Sequence, residues 1–104
     1  MDMYQKIERI GPAQFEAEIK LVDGDGNEKI TSQTYERCNS IYAAYKSLIK
    51  ALRGLHDCTV TLQTNHHQLS VELSGERAKN TTLANMLDDI IAINNIEIRN
   101  GKGE

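Results

Sequence analysis

The run Asp23-Gly24-Asp25-Gly26-Asn27 limits the fold of this chain more than any other stretch. Turn-favouring side chains and glycines fill it, and period-two segments flank it. Before it, Phe15, Ala17, Ile19 and Leu21 alternate with Glu16, Glu18 and Lys20, the mark of a strand with one buried and one solvated face. After it, Lys29 to Tyr35 reads as the returning strand of a hairpin. A calcium loop of the EF-hand type is excluded, because Glu28 and Thr34 stand where that loop needs glycine and glutamate. Met3 to Ile10 supplies an earlier strand, ended by Gly11-Pro12.

The period then changes. Ile41, Ala44, Tyr45, Leu48 and Leu52 recur at helical spacing, with Asn39 or Ser40 as N-cap and Gly54 beyond the end. Cys58, Val60, Leu62 and Thr64 alternate as a fourth strand. His67 to Leu73 suits a short helix closed by Gly75. Leu83, Met86, Leu87, Ile90 and Ile91 mark a third helix capped by Thr81 or Thr82, Ile96 to Ile98 is a last short strand, and Asn100 to Glu104 is expected to fray. Three strands followed by alternating helix and strand predict an α/β domain: an antiparallel meander leading into right-handed crossovers of a mixed five-stranded sheet.

A length of 104 residues suits one domain spanning 1–104. The net charge of −3 and a pI near 5.6 argue against strong non-specific nucleic-acid binding, which draws its affinity from phosphate neutralisation. The opening Met-Asp-Met-Tyr-Gln-Lys holds no apolar stretch, no run approaches the ~20 residues of a membrane span, and the only cysteines are Cys38 and Cys58. The expectation is a soluble, cytoplasmic protein with both thiols free.

Two segments carry a family likeness. Ala43-Ala44-Tyr45-Lys46-Ser47-Leu48-Ile49-Lys50-Ala51-Leu52 resembles the first long helix of ribonuclease H-like domains, A-E-Y-x-A-L-I-x-A-L. Thr64-Asn65-His66-His67-Gln68-Leu69-Ser70-Val71-Glu72-Leu73-Ser74-Gly75 runs in register with the family's T-D-S-x-L-V-V-x-Q-L-N-G. Gly75 to Asn80 adds a third likeness, and the element order is the family's own. The resemblance implies a ribonuclease H-like fold. It also implies four acids, supplied by the first strand, the first helix, the end of the next strand and a C-terminal helix, which together hold two divalent ions. Here the helix position is Ala44 and the later strand position is Asn65, while Glu8 is only loosely aligned in the first strand. After Ile98 the chain ends where the H-V-x-R-x-x-N-x-x-A-D segment would begin, a C-terminal truncation of the family pattern. The catalytic set is therefore expected to be degenerate, with no catalytic residue, no metal and no cofactor.

Other constellations have plainer readings. Asn65, His66 and His67 mark the cleft where the resemblance places chemistry, yet adjacent histidines point apart and make no chelating pair. His56, Cys38 and Cys58 have no zinc spacing. Lys46, Lys50 and Arg53 form an outward stripe on the first helix, and Arg77, Lys79 and Asn80 a second small group. Both are candidate nucleic-acid contacts, though stripes of this kind are usually solvated surface. Asn80-Thr81-Thr82 matches the glycosylation pattern but reads as a helix cap.

The expected function is a catalytically inactive ribonuclease H-like module that acts by binding a protein partner, an accessory or regulatory protein of phage or mobile-element type. A second copy of the chain stays open as that partner. The alternatives are nucleic-acid binding without cleavage, and a divergent metal nuclease that reuses Glu8 and Glu72.

Overall fold

A computed structural model describes residues 1–73 and 81–100. Its elements are β1 (Asp2–Gly11), β2 (Gln14–Val22), β3 (Glu28–Glu36), α1 (Ser40–Leu52), β4 (Cys58–Thr64), α2 (His67–Leu73), α3 (Thr81–Ile93) and β5 (Ile96–Asn100). The strands form one sheet in the order β3-β2-β1-β4-β5. β1, β2 and β3 pair antiparallel, and β1–β4 and β4–β5 pair parallel. This is the predicted meander followed by helical crossovers.

The β2–β3 turn owes its shape to Asp23. Its Oδ1 accepts from the backbone N–H groups of Asp25 and Asn27, each at 2.9 Å, and its Oδ2 accepts from Asn27 Nδ2 at 3.1 Å. Hydrogen bonds from Asn27 hold the Asp23 carboxyl below its ordinary range. Gly26 takes φ +87°, where a Cβ would be strained. The β1–β2 connection differs from the sequence reading. β1 runs on through Gly11, which pairs with Gln14, and Pro12 and Ala13 alone make the turn, with Ala13 left-handed at φ 54°. Proline sets the first turn position and cannot donate, so it belongs in the connection rather than at the strand's end.

α1 lies in the middle of the helical layer, against β1, β2, α2 and α3. Ile41, Ala43, Ala44, Tyr45, Ser47, Leu48, Ile49 and Leu52 are all buried. The periodicity marked one apolar face, but alanines at 43 and 44 let the sheet and α3 approach from both sides. Truncating fully buried Leu48 to alanine is expected to cost about 2–5 kcal/mol. Asn39 caps the helix by accepting from Tyr42 N–H at 3.0 Å. At the other end, buried Asn94 donates to the carbonyls of Leu52 and Arg53, tying α3 to α1.

Strand pairing sorts the sheet into two faces. Met3, Gln5 and Ile7 of β1 align with Leu21, Ile19 and Ala17 of β2 and point toward the helices. Tyr4, Lys6 and Glu8 point to the other, solvated face. That parity fixes which side chains can reach α1.

Candidate functional site

β1, the N-terminal half of α1 and the end of β4 meet at Gln5, Ala44, Ser47, Thr64 and Asn65. Gln5 is 4% exposed, and its amide is fully engaged. Nε2 donates to the Ala44 carbonyl at 2.8 Å and to Ser47 Oγ at 2.9 Å, while Oε1 accepts from Thr64 Oγ1 at 2.6 Å. Thr64 Oγ1 in turn accepts from His66 N–H at 3.0 Å.

Asn65 acts as an extra rung on the ladder. The β1–β4 register ends at Gln5 opposite Thr64. Beyond it, Asn65 Oδ1 accepts from Ile7 N–H at 2.8 Å and Asn65 Nδ2 donates to Ile7 C=O at 3.1 Å. Only an amide can do both, since an ionised carboxylate has no donor.

His66 is a helix cap rather than a solvent-facing residue. Its Nδ1 accepts from Leu69 N–H at 3.2 Å, and Nε2 lies 2.9 Å from Ser40 Oγ. This assigns a neutral ring carrying its proton on Nε2, donated to Ser40. Burial lowers the His66 pKa below its ordinary 6.5, with Glu72 pulling the other way and His67 adding to the fall. His67 is exposed. Below them, Tyr45 Oη donates to Glu72 Oε1 at 2.5 Å and Gln68 Nε2 donates to Glu72 Oε2 at 2.9 Å. Burial, then the Glu72 bond, raises the phenol's pKa above its ordinary value.

These positions correct the acid that the sequence suggested in β1. Glu8 lies on the solvated face, away from Ala44, and Gln5 is the polar β1 side chain that hydrogen-bonds to the helix. Glu72 sits on the helix side, engaged by Tyr45 and Gln68, so Glu8 and Glu72 do not share a site. Gln5, Ser47 and Thr64 were missed. Their signal was faint: polar residues in the inward rows of Met3–Ile7 and Val60–Leu62, and on the buried side of α1.

The donor set at the junction does not fit a pair of divalent ions, which need several free carboxylate oxygens. Ala44 offers only a methyl, and the amides and hydroxyls are occupied with one another and with the backbone of Ile7 and Ala44. Among the described residues no three His, Cys, Asp or Glu side chains gather around a common point.

Lys46 and Lys50 share a stripe of α1 and Arg53 is its C-cap, but Lys50 turns toward β3 rather than straight outward. Lys46 Nζ sits 6.0 Å from the centre of the Tyr42 ring, Lys50 Nζ contacts Gln33 Oε1 on β3, and Arg53 is exposed. Arg77, Lys79 and Asn80, with the Gly75–Asn80 likeness, lie outside the described residues. Cys38 and Cys58 are unpaired.

The fold as a whole has counterparts among solved structures. RNase H1 from the halophilic archaeon Halobacterium salinarum NRC-1 superposes with a TM-score of 0.70 at 20% identity, covering 95% of this chain and 83% of that one. LC11-RNase H1 in complex with an RNA/DNA hybrid gives a TM-score of 0.75 at 18% identity, with the same coverages of 95% and 83%. The fold is ribonuclease H-like. No protein-family model matches the sequence, and no curated protein matches it either. In this ribonuclease H-like chain no helix of the described residues is long and apolar enough to cross a membrane.

Proposed function

We propose that this ribonuclease H-like domain does not cleave nucleic acid and acts by binding, chiefly to a protein partner. One observation carries the reading. Where β1, α1 and β4 converge, the side chains are Gln5, Ala44 and Asn65, and their polar atoms are spent on internal hydrogen bonds. Hydrolysis by two metals requires carboxylates that are free to hold the ions and pre-organised around them. An amide network serves structure instead: it removes the mutual repulsion of clustered acids and pairs the buried polar atoms of Gln5, Ser47 and Thr64. The net charge of −3 favours a protein partner over a polyanion. Unpaired Cys38 and Cys58 accord with a reducing, cytoplasmic setting. Capture of a defined protein by the purified domain, with an interface mapped by chemical-shift changes away from the Gln5 network, supports the reading. Turnover of a labelled RNA–DNA hybrid ends it.

A second reading has its own support. LC11-RNase H1 is seen with an RNA/DNA hybrid, and Lys46, Lys50 and Arg53 form a cationic stripe on α1. Retained nucleic-acid binding without cleavage predicts affinity that falls steeply with salt and drops when Lys50 and Arg53 become glutamate.

A further inference from the structure

We infer that the outer edge of β3 takes up an extended acidic–apolar peptide of a partner protein as a sixth strand, an inference that rests on the binding role proposed above. Among the described residues β3 ends the sheet, so one side of its backbone meets no other strand there. It is nine residues long, contains no proline and is exposed along almost its whole length. A strand of that kind is a template for strand addition unless something blunts it. Beside it runs a groove of about 390 Å³, floored by Ala17, Ile19 and Leu21 and bounded by β3 and α1.

The groove determines the chemistry of the occupant. Its wall toward β2 is apolar, and its only charged residues are Lys29 on β3 and Lys50 on α1. The solvated face on the other side of the sheet carries Glu16, Glu18 and Glu28 among its side chains. Lys6 and Lys20 stand on that face too, Lys20 paired with Glu28 at 3.5 Å, whereas the groove on the helical side is lined by two lysines and no acid. An added strand lies ~4.8 Å from β3 and sends alternate side chains to the helical side. There it supplies the outer wall that the groove lacks. Acidic residues on that side meet Lys29 and Lys50, whose ammonium now rests on the neutral Gln33 amide. Apolar residues among them cover the aliphatic floor.

Self-pairing of β3 fits less well. In an antiparallel pairing centred on Ser32, Glu28 would face the partner's Glu36 at both ends, and like charges directly opposite destabilise a ladder.

The test is a titration of the intact protein with a fluorescent peptide about eight residues long, in which glutamate and valine take turns along one face and threonine fills the other. Saturable binding is expected, with the largest amide shifts in Glu28–Glu36. Lys29→Glu together with Lys50→Glu should weaken it at least about tenfold while leaving the circular dichroism unchanged. Single substitutions to glutamine should give intermediate losses. The proposal is overturned by equal binding of the same peptide with lysine in place of glutamate, or by shifts that leave β3 untouched. Sedimentation as a β3-linked dimer, or binding of a single-stranded oligonucleotide alone, overturns it too. A failed peptide titration in a protein that still cleaves no hybrid removes the edge site alone, whereas cleavage removes the reading beneath it.

Discussion

Asn65 grips Ile7 by both backbone groups, accepting from its N–H at 2.8 Å and donating to its C=O at 3.1 Å. This side chain extends the parallel β1–β4 pairing past its last backbone rung. The same residue stands where the ribonuclease H-like resemblance places a catalytic acid, so one substitution changes both chemistry and packing.

Restoring that acid is therefore expected to weaken the protein. Asn65→Asp keeps an acceptor for Ile7 N–H but sets a carboxylate oxygen against Ile7 C=O. A loss of about 1 kcal/mol is expected from the broken hydrogen bond and the new repulsion. Urea unfolding at neutral pH measures it, and an unchanged midpoint contradicts the role given to the amide.

Gln5→Glu probes the buried half of the network. At neutral pH the carboxylate cannot donate to the Ala44 carbonyl or to Ser47, and its charge is buried beside them. The expected cost is about 3 kcal/mol. Burial raises the introduced acid's pKa in the folded state above its unfolded value. The variant's deficit is thus least below the unfolded pKa and grows as pH rises through the folded one. Unfolding curves at pH 4 and pH 7 should show a smaller gap from the parent protein at the lower pH, in roughly that range of carboxyl titration. A gap independent of pH contradicts it.

His66 gives the unmodified protein a pH dependence of its own. Burial lowers its folded pKa below 6.5, so the unfolded chain binds the proton more readily. Stability is complete above 6.5 and falls as pH drops from there through the folded value, because protonation removes the Nδ1 acceptor that caps α2. His66→Asn keeps a capping acceptor and removes the titration. Stability of the variant should be flatter than that of the parent over this window, and parallel curves would assign the dependence elsewhere.

The parts of this fold legible from sequence are those set by local chemistry. Asp23 and Gly26 build their turn from neighbours within the turn, so spacing alone revealed the hairpin. α1 and α3 announced themselves through apolar periodicity, and Asn39 through its capping chemistry. The site was less legible because its residues matter through distant partners. Gln5 looks like a surface residue until Ala44, Ser47 and Thr64 close around it. Glu8 looked eligible because β1 is poorly patterned: the outward row includes Tyr4 and Ile10, and the inward row includes Gln5. His66 is an uncommon cap, recognisable only once Leu69 N–H and Ser40 are in place. The groove beside β3 has no signature in sequence, since Lys29 and Lys50 come from separate elements.

Cleavage is the most direct measurement. The purified protein, at micromolar concentration with magnesium and then manganese, is incubated with an end-labelled RNA–DNA hybrid alongside an active ribonuclease H. No product above the protein-free control is expected with either ion, because Gln5, Ala44 and Asn65 present no free carboxylate where the three elements meet. Metal-dependent product that disappears when Asn65 or Gln5 becomes alanine would contradict the account.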